Sequence, residues 1–173
     1  MARTLELLRG TQHTLTETRT YPRERDVTRE PPRVGVFLCR CGEQVSNVIN
    51  LAEVARFAKS LPDVVYAGEI TYACLEDGLA EIKRVIREKG LNRVVMGACT
   101  PRTHEALFQQ TLQQVRLNPY LLEFVSLREQ CAWVHYDDPE GATRKAKEMI
   151  RFGVALSLIH ISEPTRLGMI SYA

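Results

Sequence analysis

The sequence predicts an α/β fold: a small doubly wound domain of flavodoxin-like or Rossmann-like shape, with a mainly parallel four-stranded sheet and helices on both faces. Three observations lead to this prediction. Short valine-rich apolar runs alternate four times with longer amphipathic segments. The runs are apolar on both faces, which is typical of parallel strands covered by helices. Residues that favour helix caps stand at the ends of the amphipathic segments.

Each predicted strand is followed along the chain by a predicted helix. The four strands are the runs VGVFL, DVVYAGEI, NRVVMGA and PYLLEFVSL. The helical segments are NLAEVARFAKSL, EDGLAEIKRVIREKG, PRTHEALFQQTLQQVR and DPEGATRKAKEMIRFGVA. The sequence contains neither a GxGxxG motif nor a P-loop motif, so nothing in it supports a nucleotide site.

Three helix ends can be located from the sequence. Asn50 followed three residues later by Glu53 resembles a capping box, so a helix should begin there. Gly90 stands where a C′ glycine would end the second helix. Asp138 followed by Pro139 fits the N-cap and the first helical position of the fourth helix. These caps place helix boundaries between the apolar runs.

Both ends of the chain differ in composition from the predicted domain, which covers residues 33–155. Residues 1–32 are rich in Arg, Glu and Thr and lack sustained apolar periodicity, so we expect a mobile leader. Residues 156–166, LSLIHISEPTR, match the translation of a transposase library adaptor, and residues 167–173 fit the index and flank that continue it. We therefore expect residues 156–173 to be a non-native, adaptor-encoded tail and exclude them from the fold prediction.

Composition restricts the classes of partner. The formal net charge is +2 with both signs interspersed, so no nucleic-acid-binding surface is predicted. No apolar run is long enough to span a bilayer and no signal-peptide stretch is present, so we expect no membrane contact and a cytoplasmic location. Thiols stay reduced there. The five cysteines are an odd number, which argues against a disulfide framework and favours metal binding or thiol chemistry.

All five cysteines follow a predicted strand. They are Cys39 and Cys41 after the first strand, Cys74 after the second, Cys99 after the third and Cys131 after the fourth. Carboxyl ends of parallel strands share one edge of a sheet, where cofactors normally bind, so we expect the thiols to converge. A metal or cluster site is favoured over thiol redox chemistry and over simple packing. Four thiolates satisfy either zinc or a four-iron cluster, and the spacing does not identify the metal.

Two histidines lie near these cysteines in sequence. His104 is in the first turn of a predicted helix after Cys99, and His135 follows Cys131. Each is a candidate to donate a hydrogen bond to the site. A histidine on a helix surface or in a loop is nevertheless the commoner case.

Several blocks together resemble the N-terminal domain of the A subunit of heterodisulfide reductase, which contains flavin and iron–sulfur clusters. They are GVFLCRCG, GLNRVVMGACTPRTHEALF, and NPYLLEFVSLREQCAWVH followed by DDPEGATRKAKEMIR, covering about residues 33–155. The resemblance implies an oxidoreductase whose N-terminal domain binds a [4Fe-4S] cluster and exchanges electrons with an FAD domain in flavin-based electron bifurcation. It also implies partners: other heterodisulfide reductase subunits, an electron-donor enzyme of hydrogenase or formate dehydrogenase type, and ferredoxin.

Carried over to this sequence, the resemblance implies five candidate cluster ligands and no catalytic residue. They are Cys39 and Cys41 in CRCG, Cys74, Cys99 in ACTPRTHE and Cys131 in REQCAWVH. Four ligands suffice for a four-iron cluster. We leave out Cys39 first, because it is nearest to the buried strand.

The sequence departs from the family pattern after the last predicted helix. The glycine motif for FAD and the ferredoxin-type cysteine runs that the family places there are absent from this chain. We therefore expect FAD only in the full-length parent protein, and a chain that is not catalytically competent alone. The alternative function is a zinc-stabilised docking module without redox activity.

Overall fold

The computed structural model of the protein describes residues 20–159, together with residues 3, 6 and 9, which are helical. Within residues 20–159, four strands alternate with four α-helices, as the sequence predicts. The strands are β1 (Val34–Cys39), β2 (Val64–Ile70), β3 (Arg93–Ala98) and β4 (Leu122–Ser126). The helices are α1 (Leu51–Lys59), α2 (Glu76–Lys89), α3 (Pro101–Gln114) and α4 (Pro139–Ile159). A 3₁₀ turn, Pro119–Leu121, precedes β4, and a π-helical turn, Arg128–Ala132, follows it.

The four strands form one sheet in the order β2-β1-β3-β4, and all neighbouring pairs are parallel. Strand β1 is central, with Val36 paired to Ala67 of β2 on one side and to Val95 of β3 on the other. The chain moves from β1 to β2 and then crosses back to β3, so the direction of winding reverses between β1 and β3. This order confirms the doubly wound α/β prediction. The reversal creates a crevice at the carboxyl ends of β1 and β3, where ligands bind in such sheets.

Helices cover both faces of the sheet. Alternate side chains of a strand point to opposite faces. Val36 and Leu38 pack with helices α1 and α4 on one face, which we call the α1/α4 face. Phe37 and Cys39 pack with helices α2 and α3 on the other, the α2/α3 face. Strand β1 is buried along its whole length, which explains why its sequence is a continuous apolar run.

The predicted helix ends are confirmed. The Asn50 side chain accepts a hydrogen bond from the Glu53 backbone N–H at 3.1 Å, capping α1. Gly90 ends α2 in the left-handed conformation, with φ of 57°. The Asp138 carboxylate accepts from the Gly141 backbone N–H at 2.9 Å, one turn into α4. The hydrogen bonds of Asn50 and Asp138 each satisfy a backbone N–H that the helix itself leaves unpaired.

Part of the predicted leader contacts the domain. Residue Val27 is buried, with 4% of its surface exposed. The backbone N–H of Arg25 donates to the Arg116 carbonyl at 2.8 Å. The Asn92 side chain donates to the Pro31 carbonyl at 2.9 Å. One buried apolar side chain, one backbone hydrogen bond and one side-chain hydrogen bond thus connect residues 20–32 to the domain.

The adaptor-like tail is described only at its beginning. Residues 156–159 continue helix α4 to Ile159, whereas residues 160–173 of the predicted tail lie outside the described residues. Among the helices that the structure describes, none has the length and apolar character needed to cross a bilayer.

Candidate metal centre

Four of the five cysteines line one cavity at the carboxyl edge of the sheet. The cavity has a volume of about 230 Å³ and lies at the crevice between β1 and β3. Its four thiols belong to Cys39, Cys41, Cys74 and Cys99, which lie at or just after the carboxyl ends of three different strands. The parallel sheet thus brings together residues far apart in sequence.

Cys39 and Cys41 form a tight pair of sulfur atoms. The Cys41 thiol donates to the Cys39 Sγ at 3.5 Å, and the backbone N–H groups of Cys41 and Ala73 donate to the same sulfur at 3.3 and 3.4 Å. The hydrogen bond from the Cys41 side chain outweighs burial and, with these amides, lowers the pKa of Cys39 to about 6. The same side-chain contact, burial and the Cys39 charge raise the pKa of Cys41. The contact between the two thiols therefore favours ionisation of Cys39 over ionisation of Cys41.

The backbone turns sharply after β1 to place the second thiol of this pair. Cys41 has φ of 50° and Gly42 has φ of 68°, so two consecutive residues adopt the left-handed region. A non-glycine residue rarely adopts that region, because Cβ approaches the following carbonyl oxygen. Such strain occurs where surrounding contacts hold a residue in place, commonly at binding sites. Here it turns the Cys41 sulfur back towards Cys39.

Cys74 lies in the short loop between β2 and α2. Its side chain is half-buried and packs on the α2/α3 face. Burial, reinforced by the negative charge of Cys39, raises the pKa of the Cys74 thiol. Ionisation of Cys74 is therefore disfavoured relative to that of Cys39.

Cys99 lies in the loop between β3 and α3. It is buried, and its carbonyl accepts a hydrogen bond from the Ser126 hydroxyl at 2.6 Å. His104, in the first turn of α3, also lines the cavity. Its Nδ1 lies 3.4 Å from the Cys99 Sγ and 2.8 Å from the Thr103 hydroxyl. This candidate histidine therefore contacts one of the cavity thiols.

Cys131 is placed apart from the other four thiols. It is fully buried in the core of the α1/α4 face, and its thiol donates to the Ala142 carbonyl at 3.2 Å. Burial raises the pKa of Cys131 to about 11, so this thiol stays protonated at neutral pH. His135 approaches the Cys131 carbonyl at 3.1 Å and does not line the cavity.

The placement of Cys39 and Cys131 differs from the order of preference that the sequence suggests. From the sequence, Cys39 is the first to be omitted and Cys131 is kept, whereas Cys39 lines the cavity and Cys131 does not. The reason is the π-helical turn after β4, which carries Cys131 into the core of the α1/α4 face. Cys39 points to the α2/α3 face and lines the cavity.

The residues that line the cavity have the donor atoms for an iron–sulfur cluster, but they do not form a preformed site for a single metal ion. Among the described residues, no group of three or more His, Cys, Asp or Glu side chains is arranged to hold a single metal ion. Four cysteines nevertheless line one cavity, and thiolate is the ligand that iron–sulfur clusters use. The donor chemistry therefore fits a cluster.

Arg128 lines the same cavity and is not indicated by any motif in the sequence. It opens the π-helical turn after β4, and its guanidinium lies 5.0 Å from the centre of the Trp133 ring. The one feature of the sequence that could have indicated Arg128 is its position, since it follows the carboxyl end of a strand as the cysteines do. An arginine without a motif is otherwise expected on the solvated surface.

Comparison with known proteins shows extensive similarity to one group. No protein-family profile matches the chain. The chain is 43% identical over 148 residues to the A subunit of an H(2):CoB-CoM heterodisulfide,ferredoxin reductase of Methanothermobacter thermautotrophicus, covering 86% of the chain and 22% of the relative. It is 47% identical over 126 residues to an iron–sulfur A subunit of a CoB–CoM heterodisulfide reductase of Methanopyrus kandleri, covering 73% of the chain and 19% of the relative.

A third relative gives the same result. It is the A subunit of a Ferredoxin/F(420)H(2)-dependent CoB-CoM heterodisulfide reductase of Methanosarcina acetivorans, 46% identical over 123 residues. The match covers 71% of this chain and 16% of the relative. The chain thus spans about a fifth of the length of the relatives it matches.

Proposed function

The chain belongs to the family of heterodisulfide reductase A subunits, and from this premise we propose that its cavity binds a [4Fe-4S] cluster that transfers electrons. The observation that carries the proposal is the convergence of four cysteines, from three strand ends, on one cavity. The proposed ligands are Cys39, Cys41, Cys74 and Cys99. We assign Cys131 a packing role.

The side chains around the cavity prepare it for such a group. When bound, a four-iron cluster accepts and releases single electrons. The backbone N–H groups of Cys41 and Ala73 donate to the Cys39 sulfur, which favours its deprotonated form as a ligand. Phe108, which is 1% exposed, closes part of the wall against water. Hydrogen bonds to ligand sulfur and exclusion of solvent both tune the potential of such sites.

The proposal for the whole protein follows from the relatives' names. Those names describe reductases of the CoB–CoM heterodisulfide, several of them with ferredoxin. We propose that this domain exchanges electrons with an FAD domain of the parent enzyme during electron bifurcation. It would work with other heterodisulfide reductase subunits, ferredoxin and a hydrogenase-type or formate dehydrogenase-type donor, in a cytoplasm where thiols remain reduced.

Anaerobic purification tests the proposal. We expect brown protein with about four iron and four sulfide per chain, the content of one cubane cluster, and an electron paramagnetic resonance signal after dithionite reduction. The Cys131→Ala variant should give the same signal, because its side chain is outside the cavity. Colourless protein that takes up no iron during cluster reconstitution would refute the proposal.

One observation favours a second candidate, the zinc-stabilised docking module. The sulfur atoms of Cys39 and Cys41 are 3.5 Å apart. Four sulfurs at about 2.3 Å from a tetrahedral zinc ion are about 3.8 Å apart, so this pair alone has nearly the spacing of a zinc site. Stoichiometric zinc without a visible absorption band would establish this candidate instead.

The turn at Gly42 gives a prediction about cluster content. Gly42→Ala should lower the free energy of unfolding by about 1–2 kcal/mol, because φ is 68°. It should also reduce iron content, since the added strain falls in the turn that places the Cys41 sulfur. Iron analysis and denaturant unfolding measure the two effects.

Gly90→Ala is the matched control for this variant. Gly90 also has positive φ, but it ends α2 far from the cavity, and the heavy atom nearest to a new Cβ would be Arg33 Nε at 3.7 Å. The stability cost should be similar and the iron content unchanged. Equal iron losses in the two variants would contradict a specific role of the Cys41–Gly42 turn.

A further inference from the structure

Arg128 has a buried donor without a partner at the edge of the proposed cluster site. Its Nε is one of three buried arginine nitrogens that lack a hydrogen-bond partner among the described residues. In the other two, Arg25 and Arg93, a terminal nitrogen still donates to a neighbouring oxygen. Within residues 20–159, the Arg128 side chain stacks on the Trp133 ring. Burying an N–H without an acceptor is unfavourable, so the geometry calls for an acceptor in the cavity.

Arg128 is also the one permanent charge among the described residues that line the cavity. Within residues 20–159, the lining contains four thiols and a histidine but no carboxylate to neutralise the guanidinium. Its charge acts in favour of the thiolate forms of Cys39, Cys41 and Cys74. The cavity therefore combines sulfur donors with a fixed cation.

We propose that Arg128 donates a charge-assisted hydrogen bond to sulfur at the cluster and thereby raises the reduction potential of the cluster. The proposal rests on the proposed function, since it needs a cluster in the cavity. Stacking on Trp133 holds the guanidinium in place. Reduction takes one electron from the reductant and adds one negative charge to the cavity. The Arg128 cation stabilises that reduced state more than the oxidised state.

The test is a redox titration of the reconstituted protein with dithionite, which supplies the electron, followed by electron paramagnetic resonance. Arg128→Gln should shift the equilibrium for reduction about tenfold towards the oxidised state, because charge-assisted hydrogen bonds are of that strength. For a one-electron couple this is about 59 mV. Arg128→Lys keeps the charge but loses the planar donor, so its shift should be smaller.

Arg87→Gln is the control, since it removes the same charge in the last turn of α2. The first turn of α2 lies next to Cys74 at the cavity, so Arg87 is at the distant end of this helix. Its potential should equal that of the wild type. If the Arg128→Gln protein keeps its cluster and has the wild-type potential, the inference about Arg128 is overturned, while the proposed function is not. Absence of iron from the wild-type protein would instead overturn the proposed function beneath it.

A second variant tests the same inference if the Arg128→Gln protein fails to assemble a cluster. Trp133→Leu removes the stacking surface but leaves the charge, and Trp133 is 54% exposed, so the substitution should not disturb the core. A released guanidinium turns towards solvent, so the potential should again fall. An unchanged potential in this variant would overturn the inference.

Discussion

Replacing Cys99 with serine is expected to abolish cluster binding and to lower the free energy of unfolding of the loaded protein by about 4 kcal/mol. A site that exists only in the folded chain adds its binding energy to folding. That contribution is about 4 kcal/mol when the free ligand concentration is about a thousand times the dissociation constant. The other three cavity thiols are already proposed ligands, and Cys131 lies in the core of the α1/α4 face, so no spare thiol is placed to replace Cys99. Iron analysis and denaturant unfolding give the two values.

The apo proteins separate this effect from loss of packing. Without iron, Cys99→Ser and wild type should differ by no more than about 1 kcal/mol, because the serine hydroxyl can keep the contact that the Cys99 sulfur makes with His104 Nδ1. Cys131→Ala should show the reverse pattern, with full iron content and a loss of stability in both apo and loaded forms. Full cluster occupancy in Cys99→Ser would remove this cysteine from the ligand set.

Gly78→Ala is expected to destabilise the domain by about 1–3 kcal/mol and to empty the site. In an exposed helix this change would stabilise by up to about 1 kcal/mol, so helix propensity predicts the opposite sign. The new Cβ would lie 2.2 Å from the Tyr72 carbonyl oxygen and 2.9 Å from the Ala73 Cα. Both are backbone atoms that cannot rotate away, so overpacking should prevail. Thermal melting and iron content measure the result.

The loop that this substitution would displace connects directly to the site. The Ala73 N–H donates to the Cys39 sulfur, and Cys74 is the next residue. Asp77→Ala is the control, because it introduces the same side chain at the neighbouring exposed position. It should cost less than about 1 kcal/mol and leave the iron content unchanged. A Gly78→Ala variant as stable as the wild type would show that the loop can yield without disturbing the site.

The fold could be predicted because its signals are local. Apolar runs buried on both faces indicate parallel strands, and the caps at Asn50, Gly90 and Asp138 mark the helices between them. The shared edge of the strand ends then follows from topology alone, which is why the meeting of Cys41, Cys74 and Cys99 is foreseeable.

The placements that could not be predicted from the sequence depend on tertiary geometry. Cys131 follows a strand like the others, but a π-helical turn sends it to the opposite face, and no local pattern marks such a turn. Arg128 enters the cavity through the same turn and through stacking on the Trp133 ring. Residues 20–32 look like a leader because their contacts are with Arg116 and Asn92, far along the chain.

Anomalous diffraction at the iron edge, from crystals of the anaerobically reconstituted protein, tests the cluster proposal most directly. We predict one cluster-sized peak in the cavity, bonded to Cys39, Cys41, Cys74 and Cys99. Cys131 should remain unbonded in the core of the α1/α4 face. Iron bound to Cys131, or a zinc signal in the cavity in place of iron, would contradict the proposal.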